Sequence, residues 1–188
     1  ERFKFNYRFP IKRIGFAGRI TRIKNIERII NIWKLISRKN PELKFFIIGP
    51  IDDLGYYNYL KELINSLNLD SNVEFVNSYN RENWVQRIDL LLLASNMETQ
   101  PYVVLESFAS GILTVAPNIG GLPETVKDAG LIYDYQIRDE EIADQLLNLI
   151  SKEDLYKGKV FKGRELAEET YNIKRMLNEY ENIYNNFL

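Results

Sequence analysis

The sequence predicts an α/β domain in which a parallel sheet of six strands is covered by helices on both faces, with a run of helices at the carboxyl end. Three observations carry that prediction. Six short apolar segments are spaced along the chain up to Tyr133, and the stretches between them repeat their apolar residues with a helical period. The length, 188 residues, suits a single domain that buries about 70% of its unfolded surface.

The expected strands are Arg13–Ala17, Leu43–Ile48, Val73–Val76, Asp89–Ala94, Leu113–Ala116 and Gly130–Tyr133. Between the first two, Ile26, Ile29, Ile30, Trp33 and Ile36 keep the 3.6-residue period of a helix lying on a sheet. Tyr56, Leu60, Leu63, Ile64 and Leu67 do the same in the next crossover. Pro101 suits the first position of a helix and Gly111 the position just past its end, while Pro123 marks another helix start. Asp139 is expected to cap a helix running to Ser151, followed by helices over Glu153–Glu169 and Asn172–Phe187. The last of these places Ile173, Met176, Leu177, Tyr180, Ile183, Tyr184 and Phe187 on one broad apolar face, which is expected to dock on a domain outside this chain. Residues 1–10 read as a linker or tether and residues 11–188 as the folded domain. Because Glu1 stands where a methionine would, the chain is expected to be a piece of something longer.

Composition narrows the chemistry. Lys and Arg number 25 against 26 Asp and Glu, a net charge of -1, and no basic run is long enough to follow a phosphate backbone. Nucleic acid is therefore not expected as a partner. The absence of cysteine excludes disulfides, thiolate metal sites and a cysteine nucleophile, and fits the cytosol. The absence of histidine removes the commonest general base near neutral pH and the commonest zinc ligand. Chemistry falls to carboxylates, Lys, Arg and backbone amides, and neither a metal nor a cofactor is expected. The longest apolar run, Leu90–Ala94, is far short of the ~20 residues of a membrane span, and no signal-peptide pattern opens the chain, so a soluble domain is expected.

In an open parallel sheet, ligands bind in the crevice outside the carboxyl ends of the strands. Three of the loops expected there carry suitable residues. After the fourth strand, a helix begun at Pro101 would aim the amides of Tyr102 and Val103 at the crevice, where the helix dipole favours an anion. Glu98 precedes this seat, and Glu106 lies about a turn and a half inside the helix with its side chain leaning back, so both carboxylates are expected to face one ligand. Carboxylates accept from the paired hydroxyls of a sugar or a ribose, each charge-assisted bond contributing roughly 1.5–3 kcal/mol. The same spacing also arises by accident in a chain with 26 acids. After the first strand, Gly18 permits close backbone approach, and Arg19 and Lys24 put two cations where a pyrophosphate would be neutralised, or else form a solvated basic loop. After the fifth, Gly120 and Gly121 before Pro123 either offer amides to the crevice or simply make a tight turn.

Gly18-Arg19 followed by Lys24, Glu98 with seven residues before Glu106, and Gly120-Gly121-Leu122-Pro123-Glu124 together resemble the carboxyl-terminal domain of retaining GT-B glycosyltransferases, the family 4 group. The likeness runs from Arg13 to Phe187. It implies a Rossmann-like sheet, one half of a GT-B fold whose acceptor-side domain lies outside this chain. Within that group, Arg22–Ile26, Gly49-Pro50 with Asp52-Asp53, and Glu98–Glu106 are most similar to the cytosolic Pel-exopolysaccharide type. The resemblance implies a hexosyl transfer from a nucleoside-diphosphate sugar, UDP-sugars foremost, to a glycan, polysaccharide or lipid, at the inner face of the membrane or within exopolysaccharide machinery. In these enzymes retention comes from the acceptor hydroxyl entering on the leaving-group side.

The roles it implies are specific. Arg19 and Lys24, beside Gly18, hold the donor diphosphate with the amides of Tyr102 and Val103. Glu98 contacts the transferred sugar, next to Thr99, Gln100 and Pro101, and Glu106 binds the ribose. Asn77 and Tyr79 lie against the base. This sequence departs from the pattern in lacking the glycine usual near Asn77, and in having Thr99-Gln100-Pro101 where Gly-Phe-Gly is commoner. The histidine that the other domain of such enzymes brings to the sugar has no counterpart here. Other readings stay open on the residues alone: a GT-B-like epimerase or phosphorylase, a non-catalytic nucleotide-sugar-binding domain, or a flavodoxin-like signalling domain using Asp52 and Asp53.

Overall fold

A computed structural model describes residues 3–77 and 83–185. Strands β1 (Arg13–Ala17), β2 (Lys44–Ile48), β3 (Val73–Val76), β4 (Leu90–Leu92), β5 (Leu113–Pro117) and β6 (Gly130–Tyr133) form one sheet in the order β3-β2-β1-β4-β5-β6. All neighbours run parallel. The helices are α1 (Ile26–Lys39), α2 (Leu54–Ser66), α3 (Tyr102–Ser110), α4 (Leu122–Val126), α5 (Asp139–Ile150), α6 (Glu153–Glu165) and α7 (Ile173–Asn185). Right-handed crossovers put α1 and α2 on one face and α3 and α4 on the other. Helix α5 then packs on α1, and α6 on α3. With both faces covered, β4 and β5 are buried throughout, which is why they read as continuous apolar runs without alternation.

The strand order reverses between β1 and β4, and a buried carboxylate holds that junction. Asp89 accepts from the amides of Lys12 and Arg13 at 3.1 and 3.0 Å and from the Arg13 guanidinium at 2.6 Å. The start of β1 is thereby fixed against the start of β4, in the register Ile14 to Leu90 and Gly15 to Leu91. Under α1, the Trp33 ring stacks on Phe45 of β2 with centroids 5.3 Å apart.

Five sequence expectations change. Asp139 does not cap α5: Arg138 precedes the helix, and the Asp139 carboxylate accepts from the Arg28 Nε at 2.8 Å, because a long-range cation outcompetes the local amides. Pro101 is the residue before α3 rather than its first, with extended backbone at φ -72° and ψ 123°. The fourth strand ends at Leu92, and the helix expected to reach Glu169 changes to a wider π turn over Leu166–Thr170. The segment expected as a tether is docked from Phe3 onward. Phe5 meets Phe161, Tyr7 and Phe9 meet Tyr156, and Arg8 donates to the Ile88 carbonyl at 2.8 Å. The apolar residues of α7 up to Tyr184 stand exposed, and Phe187 lies outside the described residues. Among the described residues no helix is long and apolar enough to cross a membrane.

Three buried phenols predict how the domain responds to alkali. Burial pushes the hydroxyls of Tyr56, Tyr133 and Tyr156 well above the ordinary value of 10.0, with Glu27 adding to the effect at Tyr56 and Asp89 at Tyr156. The folded chain therefore keeps protons that the unfolded chain gives up above that pH. Stability is intact below it and falls above it by ~1.4 kcal/mol per pH unit for each such tyrosine. In an alkaline titration, the last tyrosinates are expected to form together with loss of helical circular dichroism. Full ionisation in a still-folded protein would refute the assignment.

Candidate functional site

The carboxyl ends of β1, β2 and β4 open at the point of strand reversal onto a cavity of about 440 Å³, whose walls include Gly18, Arg19, Lys24, Glu98, Pro101 and Val103. Its floor is made by backbone meeting backbone. A β-carbon on Gly49, at φ +151°, would lie 1.8 Å from the Gly18 carbonyl oxygen, so the two strand ends approach as closely as they do only because Gly49 lacks one.

Glu98 is held in the cavity wall by two donors. Its Oε1 accepts from the Lys24 ammonium at 2.7 Å and from the Ser95 hydroxyl at 2.8 Å. Lys24 retains 18% and Glu98 9% of side-chain exposure, so the pair is largely out of water and electrostatically stronger for it. Expected as a pure phosphate ligand, Lys24 thus spends one of its three N–H donors on Glu98 and has two more to give. Arg19 also lines the cavity, with its guanidinium on the Asp52 carboxylate at 3.1 Å. Asp53 caps α2 by accepting from the Tyr56 amide at 2.8 Å, as an N-terminal aspartate does, and so is structural.

The loop carrying Glu98 is clamped from below by the two glycines after β5. The Gly121 amide donates to the Glu98 carbonyl at 3.1 Å, and β-carbons on Gly120 and Gly121 would fall 1.8 and 2.0 Å from the carbonyl oxygens of Glu98 and Thr99. Of the two readings open for this segment, these bonds favour the tight turn: the Gly121 amide serves Glu98, and the Leu122 amide donates to the Ile119 carbonyl at 3.1 Å. Asn96 joins the same loop to its neighbours, its amide donating to the Ile23 carbonyl at 2.8 Å and its side chain accepting from the Tyr135 hydroxyl at 2.6 Å.

Two helices begin beside the cavity, and they differ. At the start of α1 the Tyr56 hydroxyl accepts from the amides of Ile26 and Glu27, at 2.7 and 3.3 Å, and donates to the Glu27 carboxylate. That anion seat is filled by the protein itself. At the start of α3, by contrast, Tyr102 and Val103 line the cavity wall directly.

Glu106 does not share the cavity with Glu98. It is buried, accepts from the Trp84 indole at 3.1 Å, and lines a second hollow of about 580 Å³ between α3 and the start of α7, together with Gln100 and Met176. The single-ligand expectation for the two carboxylates becomes two adjoining hollows that share Tyr102. Thr99 and Gln100 are exposed on the outer side of the loop, and Asn77 is exposed after β3. Tyr79 lies outside the described residues. Sequence reading missed Ser95, Trp84 and Tyr56 as polar partners. Only Ser95 had a local signal, a hydroxyl three residues before the glutamate. Among the described residues no cluster of three or more acids could hold a metal ion.

The fold and cavity define a Rossmann-like α/β domain with its ligand crevice at the switch in strand order. The chain belongs to the glycosyl transferases group 1 family, whose family model matches residues 2–165. One relative, N-acetyl-alpha-D-glucosaminyl L-malate synthase of Bacillus anthracis, is 24% identical over 169 residues, which are 88% of this chain and 44% of that enzyme. The carboxyl-terminal domain of the group 1 protein LpcC from Francisella tularensis superposes with a TM-score of 0.76 at 26% identity, covering 92% of this chain and 89% of that one. The S. aureus TarM variant solved with Fondaparinux, alpha-GlcNAc-glycerol and UDP gives a TM-score of 0.85 at 22% identity, over 98% of this chain and 38% of TarM. The sheet and its helices thus match one half of GT-B glycosyltransferase structures, and the chain spans about half or less of the length of the curated relatives it matches.

Proposed function

We propose that this domain binds the donor of a retaining glycosyltransferase that moves a hexosyl group from a nucleoside-diphosphate sugar, UDP-sugars foremost, to a glycan, polysaccharide or lipid. The carrying observation is the Lys24–Glu98 pair, at 2.7 Å, in the cavity that the start of α3 also lines. Lys24, Arg19 and the amides of Tyr102 and Val103 take the diphosphate, and Glu98 takes hydroxyls of the sugar. The nucleoside crosses Tyr102 to reach Glu106, with Asn77 and Tyr79 toward the base. As the glycosidic bond lengthens, negative charge grows on the leaving diphosphate, and these fixed donors stabilise it without reorganising. The acceptor hydroxyl enters on the leaving-group side, which retains the anomeric configuration. The Pel-like segments favour an exopolysaccharide as acceptor, made on the cytoplasmic side of the membrane. The chain has no histidine, so in this reading any histidine contact to the sugar comes from outside it, and the domain alone binds donor without transferring it.

The test is a calorimetric titration of the domain with UDP-glucose, GDP-glucose and ADP-glucose, repeated on Glu106→Gln. Glutamine keeps an acceptor for Trp84 and removes the charge that the ribose diol would use. The expected result is saturable binding of a uridine donor and at least a tenfold loss in the variant. Absence of binding by any of the three sugars would reject the proposal.

A further inference from the structure

Lys24, Arg19, Glu98, Tyr102, Val103 and Glu106, the side chains given roles at the diphosphate, sugar and ribose, line the cavity or the second hollow. Ser95 touches neither. It is fully buried at 0% exposure directly after the buried end of the β4 segment, and its hydroxyl is spent on Glu98 Oε1 at 2.8 Å. A buried hydroxyl that reaches a ligand only through another residue has a positioning role.

The geometry points to Ser95 as the positioning residue that orients the Glu98 carboxylate toward the sugar, an inference that rests on the donor-binding reading. Among the described residues both recorded partners of that carboxylate, Lys24 and Ser95, bond the same oxygen, Oε1. Two donors on one oxygen restrain rotation about the carboxyl group of a residue that lines the cavity, and leave Oε2 to accept from a ligand there. The two donors differ in what else they must do. Lys24 stands on the loop after β1 and is also called on by the diphosphate, whereas Ser95 has no other duty. When a diphosphate draws Lys24, the Ser95 hydroxyl keeps Oε1 occupied, so Glu98 does not swing after the ammonium. The main chain supports the same arrangement, since the Gly121 amide holds the Glu98 carbonyl at 3.1 Å and leaves only the side chain to be set. The ligand recognised through Ser95 is therefore the hexosyl group and its hydroxyls, and not the nucleotide.

That division supplies the experiment. UDP and UDP-glucose are titrated into the wild-type chain, Ser95→Ala and Ser95→Thr, with thermal melting recorded for each. Ser95→Ala is expected to weaken UDP-glucose about tenfold, the scale of one charge-assisted hydrogen bond, and to leave UDP within about twofold of wild type. Ser95→Thr, which keeps the hydroxyl, is expected to restore UDP-glucose to within about threefold. Equal losses for UDP and UDP-glucose in Ser95→Ala would mark a general packing role and overturn the inference. So would unchanged UDP-glucose binding, or a Ser95→Thr variant with a normal melting temperature that is as impaired as Ser95→Ala. If wild type binds UDP and UDP-glucose but Ser95→Ala does not separate them, the inference alone fails. If wild type binds neither, the donor-binding reading fails with it.

Discussion

In the full-length enzyme, Lys24→Ala is expected to lower the rate of sugar transfer about 10²–10³-fold while raising the donor KM much less, the pattern of a group whose interaction strengthens as the leaving diphosphate gains charge. Two features make the expectation large. The ammonium is four-fifths buried, so its field is weakly screened, and its 2.7 Å bond to Glu98 holds it in place before any donor arrives. Removing it also leaves the Glu98 carboxylate, still held by the Ser95 hydroxyl, with its negative charge uncompensated beside an anionic ligand. Initial-rate kinetics over a range of donor concentration separate kcat from KM. An unchanged kcat in a folded variant would remove Lys24 from the chemistry.

The second large effect is structural. Gly120→Ala is expected to destabilise the domain by about 2–4 kcal/mol, with a loss of donor binding that follows the displacement of the Glu98 loop. Gly120 sits at φ +48°, which costs an alanine about 1 kcal/mol, and the new β-carbon would be 1.8 Å from the Glu98 carbonyl oxygen. Only backbone movement relieves that contact, and the backbone in question carries the candidate sugar ligand. Gly158→Ala is the matched control. Gly158 lies inside α6 with nothing within 4 Å of a β-carbon, so alanine there should be neutral or raise stability by up to about 1 kcal/mol. Thermal melts of the two variants that show equal and small shifts would disprove the clamp.

The contrast between those glycines also shows where sequence reading reaches. Period and punctuation made the sheet and most helices legible, since which side of a segment is apolar depends on local spacing alone. Ile26 to Ile36 and Leu90 to Ala94 announce buried faces without any knowledge of partners. Polar pairings across long separations have no such local record. Lys24 and Glu98 are 74 residues apart, Trp84 and Glu106 are 22 apart, and Tyr56 is 30 from the amide it caps. Tyr56 was legible as a buried ring on α2 but not as the cap of α1, because the hydroxyl's destination is set by how the two helices pack. Gly120 and Gly121 were legible as a turn, whereas close approach to another loop looks the same in sequence as amides offered to a ligand.

Tyr56 has a consequence for polarity. A sheet whose strand order reverses presents two helix heads to one crevice, and a ligand with one negative end could enter either way round. Here one head is stoppered by a phenol and its neighbouring carboxylate, while the other meets the crevice beside a lysine. In the donor-binding reading proposed above, the domain is therefore a one-way socket. In that reading the direction in which a charged, elongated molecule is seated is set by a tyrosine that lies outside the cavity wall.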